Sequence, residues 1–592
     1  MGDRQWTNSD LWVGLGFDRT WIFSTEATSQ RKGPKLDACT ISLSTKITTM
    51  GAAVLLRAAL ALVAFVCVAG QSFGFTASSD GRKWAINTGN GLIVTMLRST
   101  CDIISLMYKN QELQYSAKFT HINSGLGPVT SQIATTTVDG KNTIQITCAK
   151  TGITQYYFFR PNENAFYMGT YHTSEFEPGN LRFLARLNRA TVTTGIPEAT
   201  LDDTNRAIEA TDVYATAANI TRSKFYSAIP FIDDHIHGVY GPKAGVYLIM
   251  SDKAYETSVG GPFFQDINNQ CTTANELLVC LNSDHTRTED YRYGFHGPYA
   301  LVFTDGPAPS TSIVDFSFFQ KTNLQEFVPD SQRGRVQGTI NDPTAVLTGF
   351  NIVVGFKNAQ AQYWTRVAPG SKLSYQSPLM KPGQYTVTVF RKQLAVATGN
   401  AVVSTGTTST SDVTVAYTHT QTPLWTIGVW DGTPDGFRNA DKIHKMHPSD
   451  ARMTPFRPFT FTVGKNVAGD FPLALFRGVN DPLAISFQLT SQQASQSRTF
   501  NVGITLAKNS ARPTIRVNDK WNGPILASFA VSTRGDTRGV TTGNYFLYSY
   551  TIPSSALVAG TNKIALGIAS GETDPPEPFL HASVVFDAVE LL

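Results

Sequence analysis

The stretch YRYGFHGPYALVF, residues 291–303, joins two kinds of sequence. Its first half is aromatic and glycine-broken around one imidazole, His296; its second half, YALVF, reads as a buried strand. A strand that feeds from a loop of this kind can present a side chain to a ligand from a rigid base. The same texture recurs outward from it, in GLIVTM (91–96), TIQITC (143–148), QYYFFR (155–160) and GVYLIM (245–250), runs separated by Gly, Asn and Pro. No helical stripe competes with these runs and no βαβ rhythm appears. Residues 73–329 are therefore expected to form a large stack of antiparallel sheets.

Two further units follow. Residues 333–418 hold GRVQGTI, FNIVVGF, PGQYTVTVF and DVTVAY between turn signals, the size and texture of a small immunoglobulin-like or fibronectin type III-like sandwich. In PGQYTVTVF the alternation predicts that Tyr385, Val387 and Val389 face inward. Residues 422–592 open with LWTIGVWDGTPDGF, run through TFNVGITLA, TIRVND and NYFLYSYTIP, and close with ASVVFDAVEL, which suggests a jelly roll of the kind found in carbohydrate-binding modules. Trp425 and Trp430 can stack on sugar rings or fill the core. The expected class is all-β throughout.

At 592 residues the chain exceeds what one core can hold. Only 16% of residues are charged, whereas Gly (47), Pro (29) and aromatics (11%) are plentiful, a mix suited to an extracellular β-rich protein. The net charge of +4 argues against nucleic acid as a partner, and attraction to a polyanion must be local to a site. Residues 1–49 lack periodicity and read as an extension ahead of the true start, Met50. Arg57 and the short apolar run Ala58–Ala69 make residues 50–70 a signal peptide with cleavage before Gln71; a membrane anchor is the competing reading. Secretion, and no membrane after processing, is the expectation. Setting aside Cys39 and Cys67 leaves Cys101, Cys148, Cys271 and Cys280, for which proximity favours bridges 101–148 and 271–280; four unpaired buried thiols are the alternative. Asn219 opens a glycosylation sequon five residues before Lys224 (224 − 219 = 5).

Familiar catalytic signatures are missing: no GxSxG elbow, no phosphate loop, no HExxH, no dinucleotide glycine fingerprint. The pair His235 and His237 after Asp233 and Asp234 is weak as a metal site, and a structural role is expected for it. What remains is a set of cations and phenols: Arg182 and Arg186, which share a face if LRFLAR is a strand, then Lys224 in TRSKFY, then Tyr291, Tyr293 and His296. Arg534 and Arg538 in TRGDTRGV add two cations suited to a carboxylated ligand. Such a set lacks the paired carboxyl groups of glycoside hydrolysis. It suits proton abstraction beside a carboxylate, as at C5 of a uronic acid, where a lysine deprived of its charge by a neighbour such as Arg222 takes the proton.

The combination TRSKFY, FIDD with IHGV, YGFHGPYAL, WDGTPDGF and MHPSD resembles the fungal-type rhamnogalacturonan lyases of polysaccharide lyase family four, over nearly all of residues 73–592. The resemblance implies a galactose-mutarotase-like β-sandwich, a fibronectin-like module and a jelly-roll module. It also implies β-elimination between rhamnose and galacturonate of an acidic plant cell-wall polysaccharide, pectin. By the same resemblance Lys224 is the base, and His296 neutralises the carboxylate or assists the leaving oxygen. Arg182, Arg186, Tyr291, Tyr293, Arg534 and Arg538 are the candidate substrate ligands. No organic cofactor is expected and no metal ligands are assigned, although structural calcium stays open; the protein is expected to act as a monomer. A non-catalytic pectin-binding protein on the same scaffold is the alternative, and a sugar epimerase fits the appended modules less well.

Overall fold

A computed structural model describes residues 72–175, 179–417, 422–528, 533–543 and 545–592. The extension, the signal peptide and Met50 lie outside the described residues, as do Cys39 and Cys67. Among the described residues regular structure is strand almost throughout, with one four-residue α-helix, Ser491–Ala494.

The first domain is built on two facing sheets. A seven-stranded sheet runs in the order Ile236–Tyr240, Gly245–Met250, Gly294–Thr304, Ala165–His172, Ile153–Phe159, Lys141–Lys150, Thr130–Val138. A four-stranded sheet runs Asn269–Cys271, Asn275–Ser283, Asn180–Leu187, His121–Ile122. Alternation along each strand sends one set of side chains between them: Leu181, Phe183, Ala185 and Leu187 from one strand, Tyr299, Leu301 and Phe303 from another, all in one core. The other face of the seven-stranded sheet is covered by Phe318 and Phe319. The outer face of the four-stranded sheet carries Arg182, Leu184 and Arg186, two of them only partly buried. A five-stranded sheet over residues 74–112 and a three-stranded one made of Thr204–Glu209, Val213–Thr216 and Thr221–Ser223 complete the domain.

Cys101 and Cys148 are bridged. Closing 47 residues of chain, the link stabilises by about 4 kcal/mol in the chain-entropy account. The expected bridge between Cys271 and Cys280 does not form, and both are free buried thiols. Register explains it: Cys271 pairs with Asn275, so Cys280 lies five residues further along (280 − 275 = 5), roughly 16 Å at strand rise. Nearness in sequence placed them at different heights of one hairpin.

The second domain packs a sheet containing Arg335–Asn341 against one containing Ile352–Lys357, Gly383–Arg391 and Leu394–Val403. Tyr385, Val387 and Val389 do face its core. The third pairs two five-stranded sheets, one holding Ser583–Leu591 and Arg498–Lys508, the other Leu483–Leu489 and Gly560–Ala569. Trp425 lies in its core against Phe487 and Phe500, and Trp430 is sealed with its Nε1 donating to Glu590 at 3.1 Å, so neither is open to a sugar ring.

Buried polar contacts join the domains. Glu256 of the first receives Arg333 at 2.7 and 3.0 Å, with Tyr363 at 2.8 Å and Lys381 at 3.3 Å. Asp450 of the third, in the MHPSD segment, accepts both the amide and the hydroxyl of Thr221 at 2.7 Å.

Candidate active site

TRSKFY ends a strand at Ser223 and turns through one turn of 3₁₀ helix, Lys224–Ser227. The Ser223 hydroxyl accepts the Phe225 amide at 3.3 Å and Ser227 closes onto the Lys224 carbonyl at 2.7 Å. The turn buries Phe225 and Tyr226 and leaves Lys224 at their edge, its side chain 22% exposed. Phe225 sits on Leu184, Leu278 and Ile267, against the outer face of the four-stranded sheet. Lys224 is thereby held over the strand that carries Arg182.

Around Lys224 the charges are shared closely. Its Nζ lies 3.0 Å from Asp212 Oδ1, and the other oxygen of Asp212 accepts Arg538 Nη2 at 2.6 Å. Burial would raise the Asp212 carboxyl, but Lys224, then Arg538 and His285, outweigh it and hold it below its ordinary value. Arg222, which the sequence offered as the cation beside the amine, is turned onto Asp203 at 2.7 Å instead. The neighbour of Lys224 is thus a carboxylate, with a guanidinium behind it.

His285 stands on the other side of Phe225, ring edge to ring face at 5.0 Å. Its Nδ1 meets both oxygens of Asp266 at 3.0 Å and the Ser283 hydroxyl at 3.1 Å. Burial raises the Asp266 carboxyl, yet His285, then Ser283 and the Ile267 amide, keep it low. An imidazole fixed at Nδ1 by a buried carboxylate presents Nε2 outward. Nε2 makes no hydrogen bond among the described residues.

Arg182 is the cation left over. Its Nε is buried without a partner, and it pairs across the strands with Cys280, whose thiol feels both Arg182 and Lys224. Arg186, by contrast, is tied to Glu276 at 3.1 Å, to the Phe119 carbonyl at 2.7 Å and to His121 at 2.8 Å. Arg534 and Arg538 are not loose cations either: Arg534 is on Glu209, and Arg538 spans Glu209, Asp212 and the Phe225 ring. They dock the third domain against the first.

His296 is separated from this group. It is fully buried on the strand Gly294–Thr304 of the seven-stranded sheet, its Nε2 2.8 Å from His172 Nε2 and its Nδ1 without a partner. Burial, then His172 and Lys381, push its pKa well below the ordinary value. Lys224 lies on the far side of the other sheet, and no contact joins the two. The expectation that they share one cleft does not hold; the histidine beside Lys224 is His285. The signal for it was its place, directly after the apolar strand LLVCLNS where the loop begins.

Tyr291 donates to the Gly179 carbonyl beneath Arg287, which stacks on its ring at 4.4 Å. Tyr293 is 44% exposed with its edge on His172, an open aromatic face. His237 is buried between Asp234 at 2.6 Å and the Leu278 carbonyl at 2.7 Å, a structural role. Among the described residues no His, Cys, Asp and Glu cluster suits a metal ion. Asn219 lies exposed in a turn with Oδ1 accepting from Arg206 at 2.6 Å.

Three family models match the chain: "Rhamnogalacturonan lyase B, N-terminal" at residues 73–326, "Polysaccharide lyase family 4, domain II" at 332–415 and "Polysaccharide lyase family 4, domain III" at 423–591. Rhamnogalacturonate lyase A of Aspergillus aculeatus is 40% identical over 536 residues, 90% of this chain and 98% of its own. Rhamnogalacturonate lyase A of Emericella nidulans is 39% identical over 528 residues, 88% and 97%. Among solved structures, a galactose 1-epimerase from Lactobacillus acidophilus NCFM matches 40% of this chain and 98% of its own at 7% identity, with a TM-score of 0.23.

Proposed function

The chain belongs to polysaccharide lyase family 4, and from that premise we propose that it cleaves rhamnose–galacturonate linkages of pectic rhamnogalacturonan by β-elimination, with Lys224 and His285 as the proton-transfer pair. The observation that carries this reading is the unpaired guanidinium of Arg182 beside two differently oriented nitrogen groups, Lys224 on Asp212 and His285 on Asp266.

In this reading Arg182 receives the galacturonate carboxylate, where negative charge grows as the C5 hydrogen leaves. Asp212 accepts one N–H of Lys224 and so aims the nitrogen into the cleft; in its uncharged form the amine uses its lone pair to remove the C5 proton and becomes an ammonium beside Asp212. The electron pair of that C–H bond forms the C4–C5 double bond, the C4–O bond breaks, and the oxygen departs with rhamnose. His285, in the imidazolium form that the Asp266 carboxylate supports through Nδ1, gives its Nε2 proton to that oxygen and is left neutral. The step is redox-neutral and calls for no organic cofactor. The enzyme is read as acting outside the cell, on an acidic cell-wall polymer.

The test is absorbance of the unsaturated uronate when rhamnogalacturonan is added. Lys224→Ala and His285→Ala should each lower kcat by at least about a hundredfold with the fold retained. Wild-type turnover in either variant removes that residue from the chemistry, and no absorbance from the folded parent removes the reaction.

A further inference from the structure

Behind the His285 loop the three domains line a partly open pocket of about 530 Å³ that the elimination chemistry does not use. Its walls come from the loop Gly260–Gln265 and from Thr286 to Glu289 in the first domain, from the outer sheet face of the second, and from residues near Val540 in the third. That volume, at a domain junction, is in the range of small-ligand sites.

The lining has two characters. Phe263 of the first domain and Phe390 of the second meet edge to face at 5.3 Å, with Trp364 nearby, so aromatic surface forms part of the wall. The space for Phe390 is made by Gly355, where a Cβ would stand 3.0 Å from the ring. Beside Phe390, on the same face of its strand, runs a row of hydroxyls. Val387 and Val389 face the core of the second domain, so Thr386 and Thr388 point outward, and Thr398 is the cross-strand partner of Thr388. None of these three hydroxyls makes a hydrogen bond among the described residues. Gln393, on the same wall, has its Oε1 buried without a partner. A buried acceptor left unmatched is destabilising, and a ligand hydroxyl would satisfy it.

The charge balance decides what kind of ligand. Glu289 and Lys357 at the rim are paired at 3.2 Å, and Glu289 also takes Arg292 at 2.9 Å. Among the described residues no free cation resembling Arg182 faces this space. Rings for stacking, hydroxyls and an amide acceptor, and no uncompensated charge are the chemistry of an uncharged sugar.

We infer that this inter-domain cavity is a binding site for a neutral oligosaccharide, distinct from the place where the uronate reacts and independent of how protons move there.

The test titrates the full-length protein with neutral di- and trisaccharides (β-1,4-galactobiose, α-1,5-arabinobiose, β-1,4-galactotriose) and with digalacturonate as the charged comparison, following Trp364 by fluorescence and heat by calorimetry. At least one neutral sugar should bind at least tenfold more tightly than digalacturonate. Thr388→Val, which keeps the shape of the wall, and Phe390→Ala should each weaken that binding at least fivefold, whereas Lys224→Ala should bind as the parent does. Thermal melting separates lost binding from lost fold, and the conservative Thr388→Val carries the decision if Phe390→Ala melts early. If no neutral sugar binds, if digalacturonate binds as well as they do, or if a folded Thr388→Val binds unchanged, the assignment is overturned.

Discussion

At the scale of single residues, the site rests on two carboxylates that each hold one nitrogen group, Asp212 on Lys224 and Asp266 on His285. Lys224 and Arg182 stand out by type, and the structure brings them together over one face of one sheet, the Arg182 Nε buried and unmatched among the described residues. In the sequence His296, inside an aromatic motif, looks more purposeful than His285 in the polar run NSDHT. Exposure and partners, which sequence does not carry, reverse the choice: His296 is sealed against another imidazole, while His285 is oriented by Asp266. Two outcomes follow. Asp266→Asn should lower kcat about tenfold or more with little change in KM, and should shift the pH–rate profile, because it alters the charge state His285 can hold rather than substrate binding. Arg182→Lys should raise KM and lower kcat together, since an ammonium lacks the planar fork that grips a carboxylate. A kinetic series on rhamnogalacturonan with both variants reads each effect.

Strands were the most legible elements. Tyr385, Val387 and Val389 alternate in sequence and face inward in the fold, because period-two burial needs no tertiary information. Pairing register was not legible, and the proposed bridge between Cys271 and Cys280 failed on it. The contacts between elements were hidden as well. Glu256 is an unremarked acid in the sequence, yet it is sealed among Arg333, Tyr363 and Lys381. Burial alone would raise its carboxyl, but Lys381 and Arg333 bring it from 4.5 to about 2. With its folded value below its unfolded one, Glu256 stabilises the fold fully above about pH 4.5 and loses that contribution as the pH falls toward about 2. The linked free energy is on the order of 3 kcal/mol. Denaturant melts at pH 6, 4 and 3 should show this loss in the parent and much less of it in a Glu256→Gln variant that is already weaker by several kcal/mol, about 3 to 5 for breaking a buried pair.

For the whole molecule, the sequence indicated three β-domains in order but not that the third completes the first. TRGDTRGV looked like a flexible loop reaching for substrate; it is a clamp, with Arg534 and Arg538 on Glu209 and Asp212. Asp450 and the Thr221 strand make a second tie between the same two domains. Arg538→Ala should cut kcat at least tenfold while leaving most of the melting temperature intact, because Asp212 loses the partner that holds it facing Lys224; Arg538→Lys should recover part of the rate. A loss of melting temperature without loss of rate would make the clamp purely structural. The same arrangement makes cleavage an all-or-nothing property under attack by proteases. Any nick that sheds the third domain takes the Arg538 guanidinium away with it, so ageing molecules should fall silent instead of cutting with loosened aim.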